Sequence, residues 1–165
     1  MQSWFNTEER IAKLQEVAAS WIGTPFFSNG NTKGKGIGSG VSCQKLCEGI
    51  YRECGFIDVK TPAVQMSHAQ FSSKSLVDEF MQTCKTKFAI LQRPLELLPG
   101  DLIAIRIKKI SHHLGVMVTA RRFIQAVEGP GVLYSELSDG TWGSRLQGAW
   151  RPIGQEGANA KGDIG

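Results

Sequence analysis

The first half of the chain carries apolar residues at the three- and four-residue spacing of amphipathic helices. Residues 8–22 place apolar side chains on one helical face, and Asn6 with Glu9 is predicted to cap the start of this helix. Residues 57–73 have few periodic apolar positions and are predicted to be irregular. A further helix is predicted over residues 75–88, where apolar side chains recur every four positions. The pattern therefore indicates an N-terminal half built of helices.

A glycine-rich loop leads into a second predicted helix between residues 34 and 55. The loop ends near Gly40, and the helix is predicted to begin at residues 41–43. Its buried stripe is predicted to comprise Leu46, Cys47, Ile50, Tyr51 and Cys54. Gly55 follows at the position where a helix commonly ends in a left-handed cap. This phase puts Cys43 in the first helical turn, just beside the buried stripe.

The apolar period changes from helical to alternating after Leu97. The segment Leu-Pro-Gly-Asp at residues 98–101 is predicted to be a turn. Strands are predicted over residues 102–107, 113–119, 123–127, 132–137 and 146–151. Helices followed by short hairpin-linked strands indicate an α+β fold, in which N-terminal helices pack on a C-terminal antiparallel β-sheet of about five short strands.

Length and composition indicate one globular domain. The chain has 165 residues, of which 41% are hydrophobic and 21% charged. The domain is predicted over residues 1–153, and residues 154–165, which have nothing to bury, are predicted to be a disordered tail. The net charge of +4 is scattered in short clusters, which does not favour nucleic-acid binding.

Neither a membrane-spanning segment nor a signal peptide is predicted. No apolar run reaches the length that a membrane span needs, so membrane insertion is not expected. The N-terminus lacks a basic flank followed by an apolar run. We therefore expect synthesis in a cytoplasm, and delivery by another route if the protein acts outside it.

Spacing argues against two classes of binding site. Neither nucleotide-binding motif matches the loop glycines Gly34, Gly36, Gly38 and Gly40. Cys43 and Cys47 lie one helical turn apart, so a metal site shared with His112 and His113 was considered. C-x3-C is not a usual zinc spacing, however, and adjacent histidines in a strand point to opposite faces. No metal and no cofactor are therefore predicted, and the four cysteines are expected to be free thiols.

Cys43 is a candidate nucleophile because of its place at a helix start. A thiol there lies near exposed N–H groups and the positive end of the helix dipole, both of which favour thiolate. Such placement can lower a cysteine pKa from roughly 8.5 to about 3.5–7.5. The alternative is that Cys43 is simply a small buried hydrophobic residue. A base elsewhere in the chain is needed to distinguish the two.

His112 and His113, at the start of a predicted strand, are the candidate bases. Because side chains alternate along a strand, one of them faces the helices and the other faces away. A histidine near its ordinary pKa of roughly 6.5 can accept a thiol proton, and its ring needs an orienting partner. Gln125, the one polar residue in the apolar run 123–127, is either that partner or an ordinary satisfied amide. The sequence does not fix the strand register that would decide.

The order of motifs resembles one family of enzymes. The chain carries Trp-Ile-Gly-Thr-Pro-Phe, the glycine-rich loop, a cysteine at a helix start, Pro-Gly-Asp-Leu, His-Leu-Gly-Val, Phe-Ile-Gln-Ala and Gly-Val, in that order. This order is similar to that of the NlpC family of papain-like cell-wall cysteine peptidases, and most resembles the branch encoded in phage tail modules. The resemblance implies a papain-like arrangement of the α+β fold.

The resemblance also implies roles for individual residues. It assigns Cys43 as nucleophile, His113 as general base and acid, and Gln125 as the residue that orients the imidazole. Ser42 and His112 then line the substrate cleft, and the backbone N–H of Cys43 helps to stabilise the oxyanion. The implied reaction is hydrolysis of a peptide or amide bond in peptidoglycan stem peptides through a thioester acyl-enzyme.

Three positions depart from the family pattern, so two other functions stay open. Ser42 stands where the family usually has Asp, Phe26 where many members have Tyr, and Gln125 where His is most common. These differences leave room for a structural tail component with the same fold and little activity. The third possibility is an amidase or acyltransferase that acts on a substrate other than peptidoglycan.

Overall fold

A computed structural model describes residues 2–56, 88–107 and 110–154, except the side chains of residues 107 and 110–112. The predicted irregular segment at residues 57–73, the predicted disordered tail and nearly all of the predicted third helix lie outside these residues. Phe88, placed by the sequence pattern at the end of that helix, instead begins a strand. The reason is tertiary, because Phe88 pairs with Pro152 of the last strand.

Two helices precede the main sheet, close to their predicted positions. Helix α1 spans Glu8–Trp21 and buries the predicted face at Leu14, Val17, Ala18 and Trp21. Its N-cap is Thr7, which accepts from Arg10 N–H, so the predicted capping pair was wrong by one residue. Helix α2 spans Cys43–Glu53 and buries the whole predicted stripe. Gly55 adopts φ +85°, which confirms the predicted left-handed cap.

The described residues form a small ribbon and a six-stranded antiparallel sheet. The ribbon pairs β1 (Asn31–Thr32) with β2 (Gly40–Val41) within the glycine-rich segment. The sheet contains β3 (Phe88–Ile90), β4 (Leu102–Ile107), β5 (Ile110–Met117), β6 (Arg122–Val127), β7 (Gly131–Glu136) and β8 (Leu146–Pro152). Its strand order is β3-β8-β4-β5-β6-β7. A short helix, α3 (Gly140–Gly143), connects β7 to β8.

The predicted α+β architecture is confirmed, with one strand more than the five expected. The additional strand is β3, at the edge of the sheet beside β8. Strand β5 begins at Ile110, three residues before the predicted start at His113, because Ile110 pairs with Ile107 of β4. Helix α3 was not predicted, since four residues are too few to show a helical period.

Side chains on both faces of the sheet are buried. The larger cluster packs α1 and α2 against one face, which includes Leu102, Ala104, Leu114 and Val116. The alternate positions of the same strands form a second cluster, which contains Ile103, Ile105, Met117, Phe123 and Ala149. The second cluster is covered in part by leucines of the segment before β4 and by Trp142 of α3.

A polar corner ties the start of β4 to the rest of the fold. Tyr51 Oη donates to the carbonyl of Gly100 at 2.8 Å, which joins α2 to the turn before β4. Gly100 has φ +92°, and a Cβ there would collide with the Phe5 ring, so glycine is required. Asp101, fully buried, receives two hydrogen bonds from Arg151 of β8, at 3.0 and 2.9 Å. The carboxylate raises the pKa of the Arg151 guanidinium, while burial raises the pKa of Asp101, an effect that the hydrogen bonds from Arg151 oppose.

We expect Asp101→Asn to lower the free energy of unfolding by about 3 kcal/mol, because it leaves the Arg151 guanidinium without its charged partner. Urea denaturation monitored by circular dichroism measures this change. The matched control is Glu136→Gln, which breaks the exposed pair between Arg122 and Glu136. That change should cost under about 1 kcal/mol. Equal losses for the two variants would show that the corner contributes no more than a surface ion pair.

Candidate active site

The N-terminus of α2 is held by its cap and by the loop that precedes it. Ser42 is the N-cap, and its hydroxyl accepts from Lys45 N–H at 3.2 Å. Val41 N–H donates to Pro25 O at 2.9 Å, and Ser42 N–H donates to Gly30 O at 3.1 Å. The predicted cleft residue Ser42 therefore has its hydroxyl engaged in starting the helix. These contacts fix the backbone from which Cys43 projects.

The thiol of Cys43 is buried, with 8% of the residue exposed. Burial raises the pKa of Cys43 above its ordinary value, and hydrogen bonds from the backbone of Leu114, Gln44 and Cys43 itself only partly oppose this effect. The expected depression of this pKa at a helix start is therefore wrong in direction. The N–H groups are present at the thiol as predicted, but the loss of hydration outweighs them.

The thiol lies at the point where β5 and β6 diverge and cease to pair. These strands pair at Val116 with Ile124 and at Met117 with Phe123. Met117 N–H donates to Asp101 O, on the β4 side, and N–H directions alternate along a strand. The N–H of Leu114 therefore points toward the β6 side, where it donates a hydrogen bond to the Cys43 thiol. The first turn of α2 thus meets β5 one residue beyond His113.

His113 reaches across the same gap to β6. Its Nε2 lies 2.6 Å from Gln125 Oε1, and both residues are buried, with His113 8% exposed and Gln125 0%. His113 lies directly opposite Ile105, so it shares the face of the second cluster and not that of the helices. Burial lowers the pKa of His113 to about 4, although its hydrogen bond with Gln125 acts in the opposite direction. The imidazole is therefore neutral at neutral pH.

Ser135 on β7 joins the site from a position that the sequence analysis did not single out. Gln125 Nε2 donates to Ser135 Oγ at 2.7 Å, so the three side chains form the chain His113–Gln125–Ser135. With the amide nitrogen turned to Ser135, the amide oxygen faces the imidazole, and His113 Nε2 is the donor. The lone pair of the ring is then on Nδ1. The signal for Ser135 is alternation along β7, but this becomes useful only once the register with β6 is known.

The structure brings together part of the predicted set. Cys43, His113 and Gln125 all lie at the parting of β5 and β6, although within the described residues no hydrogen bond joins the thiol to the imidazole. His112 belongs to β5, but its side chain lies outside the described residues. Cys47 is buried in α2, and its pKa is raised well above the ordinary value by burial. The cysteines described here, including Cys54, are free thiols, as expected.

Neither a metal cluster nor a membrane-spanning helix is found in the described part of the chain. Its His, Cys, Asp and Glu side chains form no group of three placed to hold a metal ion. None of its helices has the length and apolar character to cross a bilayer.

Comparison with known proteins identifies the family. The sequence profile of the NlpC/P60 family matches residues 23–151, which is well over half of the chain. Comparison with curated protein sequences gave no match. Several solved structures, by contrast, share the fold.

Two of these structures are bacterial proteins of the same family. A protein from Staphylococcus aureus described as similar to lipoprotein, NLP/P60 family, has a TM-score of 0.60 and 20% identity, over 90% of this chain and 43% of its own. An NlpC/P60 family protein from Bacillus cereus has a TM-score of 0.58 and 18% identity, over 87% of this chain and 40% of its own. The chain thus spans less than half the length of either protein.

A third structure covers a single domain. The NlpC/p60 domain of the peptidoglycan hydrolase SagA has a TM-score of 0.50 and 16% identity, over 84% of this chain and 96% of its own. These identities establish a shared fold, while the profile match establishes the family. The chain belongs to the NlpC/P60 family, whose members are typically hydrolases of cell-wall peptidoglycan.

Proposed function

We propose that this protein is a cysteine peptidase that cleaves a peptide or amide bond in peptidoglycan stem peptides. Cys43 is the nucleophile, His113 the general base and acid, and Gln125 the residue that orients the imidazole. The observation that carries the proposal is the 2.6 Å contact between His113 and Gln125, beside the strand residue that hydrogen-bonds the Cys43 thiol. Family membership supplies the substrate class.

The resting pair in this proposal is a neutral thiol and a neutral imidazole. Burial raises the pKa of Cys43 and lowers that of His113, so the proton stays on sulfur until substrate binds. Because Nε2 of His113 donates to Gln125, Nδ1 carries the lone pair that receives the thiol proton. Proton transfer then accompanies attack of the sulfur on the scissile carbonyl.

The backbone at the start of α2 supports the next steps. The N–H groups of Cys43 and Gln44 already hydrogen-bond the thiol, so they are close to the position of a developing oxyanion. The imidazolium returns its proton from Nδ1 to the leaving amine as the carbon–nitrogen bond breaks, which leaves a thioester on Cys43. Water, deprotonated by His113, then attacks the thioester and releases the acid and the free thiol.

The proposal extends to Ser42 and His112 as residues of the substrate cleft. Ser42, half-buried at the N-cap, contacts substrate through its backbone and its Cβ, since its hydroxyl caps the helix. The motif resemblance also leads us to propose delivery as part of a phage tail or related particle. Detection of this chain by mass spectrometry in purified particles tests that delivery, and its absence from them would overturn it.

One observation favours a second candidate, a structural tail component with little activity. The thiol is nearly buried and its pKa is raised, which is also the state of an inert cysteine. Gln125 in place of the more common histidine points the same way. A further candidate is an acyl-transfer enzyme that acts on another substrate. It would use the same nucleophile, so only its substrate distinguishes it from the proposed peptidase.

We expect the protein to release soluble muropeptides from purified sacculi, and Cys43→Ala to abolish this release, because no other group takes over the attack on the carbonyl. Chromatography of the soluble fraction measures the products. Cys54→Ala, which removes a thiol at the opposite end of α2, is the matched control and should retain activity. No release by the unmutated protein would favour the structural component, and turnover confined to non-peptide acyl substrates would favour the acyl-transfer enzyme.

We also expect the stability of the fold to depend on pH through His113. In the folded protein its pKa is about 4, against the ordinary 6.5, so between these values the unfolded chain binds a proton that the folded chain does not. Stability present above pH 6.5 is therefore lost as the pH falls toward 4, by up to about 3 kcal/mol. Urea denaturation across this range should show a slope that His113→Gln reduces. The same slope in both proteins would mean that His113 is not buried as a neutral ring.

A further inference from the structure

We infer that Arg93, Arg106 and Arg145 form a subsite that binds a carboxylate of the stem peptide, close to the candidate active site. This inference rests on the proposed function, since it adds a specificity-determining subsite to the same site. The three side chains line one cavity of about 420 Å³, which is completed by Ser144, Leu146 and Gln147. Small ligands bind in cavities of roughly 300–1,000 Å³, so this volume suits part of a peptide.

Arg93 is held in place by an irregularity of the sheet. The pairing of β4 with β8 shifts between Ala104 and Ile105, so Gln147 faces no residue of β4. Arg93 Nη2 donates to the carbonyl groups of Leu146, at 3.0 Å, and Gln147, at 3.2 Å. A guanidinium has five N–H donors, and within the described residues the other three, on Nε and Nη1, meet no acceptor. They are available to a ligand.

Arg106 and Arg145 are brought to the same cavity by a backbone hydrogen bond. Arg106 N–H, near the end of β4, donates to Arg145 O at 2.9 Å. Arg145 follows α3, and its guanidinium lies 5.8 Å from the centre of the Trp142 ring. In the part of the chain that the structure describes, neither guanidinium makes an ion pair with a carboxylate. Both positive charges are therefore free to interact with a bound group.

The charge of the cavity favours an anion. Arginine stays protonated across the physiological pH range, so three positive charges surround one space. These charges repel one another, and an anion placed between them offsets that repulsion. The planar fork of a guanidinium also matches a carboxylate, to which it can donate two parallel hydrogen bonds. Charge and geometry together select an oxyanion over a neutral or cationic group.

Strand register places the cavity close to the candidate active site. Arg106 directly follows Ile105, which lies opposite His113 in the pairing of β4 with β5. Paired Cα atoms are about 5 Å apart and successive strand residues about 3.3 Å, so the Cα atoms of Arg106 and His113 lie within about 9 Å. An extended peptide covers that distance in about three residues. Stem peptides carry free carboxylates, so a peptide bound at Cys43 can place one among the three arginines.

The test measures binding of a synthetic stem peptide with free carboxylates, by calorimetry, to protein that carries Cys43→Ala and so does not turn it over. Arg106→Gln should weaken this binding about tenfold, since a charge-assisted hydrogen bond is lost. Arg121→Gln, which removes the same charge from an exposed connection between β5 and β6, is the matched control and should weaken binding less than about twofold. The same peptide with amidated carboxylates should bind equally with and without the Arg106→Gln change.

Muropeptide release gives a second readout. Because the subsite holds substrate and transition state alike, Arg106→Gln in the otherwise unmutated protein should raise KM about tenfold with kcat little changed. Equal binding by the Arg106→Gln and Arg121→Gln variants would overturn the inference, as would absence of binding to the acidic peptide. Affinity that depends on Arg106 for a glycerol phosphate oligomer, and not for the peptide, would also overturn it. Binding of the peptide that depends on Arg106, in a protein that releases no muropeptides, would support the subsite while overturning the proposed function.

Discussion

The packing of α2 against the central strands is the interaction on which the site depends. Leu46, Cys47, Ile50 and Tyr51 are fully buried, and the helix contacts both β5 and β6. Tyr51 adds a hydrogen bond to the turn before β4, which fixes the helix along its axis. Because the helix is held in this way, its first turn brings Cys43 to Leu114, whose backbone hydrogen-bonds the thiol. A shift of α2 by a residue would remove that contact.

Burial, more than the helix dipole, sets the electrostatics of the site. The pKa of Cys43 rises and that of His113 falls for the same reason, namely that each charged form loses hydration. Cys43 and His113 therefore do not form a thiolate–imidazolium ion pair before substrate binds. Gln125, a neutral amide, is consistent with this state, since it orients the ring without favouring the imidazolium as a carboxylate would. In the proposed mechanism, charge develops only along the reaction, close to the N–H groups at the start of α2.

Much of the fold could be predicted because its signals are local. The stripe of α2, the cap at Gly55 and the strand at Leu102–Ile107 follow from periodicity and turn chemistry. Strand β3 could not be predicted, because Phe88 also fits a helical spacing and only its pairing with β8 decides. The same holds for the site. Register and burial decide that His113 meets Gln125 and that Gln125 hydrogen-bonds Ser135, and neither is encoded in spacing along the chain.

The most direct test of the proposed peptidase is to trap its covalent intermediate. Sacculi would be mixed with the protein, quenched in acid after a short time, and the peptide that contains Cys43 analysed by mass spectrometry. We expect an added stem-peptide mass on Cys43 that hydroxylamine removes, as is usual for a thioester. Release of muropeptides with no adduct on Cys43, and with equal activity in Cys43→Ala, would contradict it.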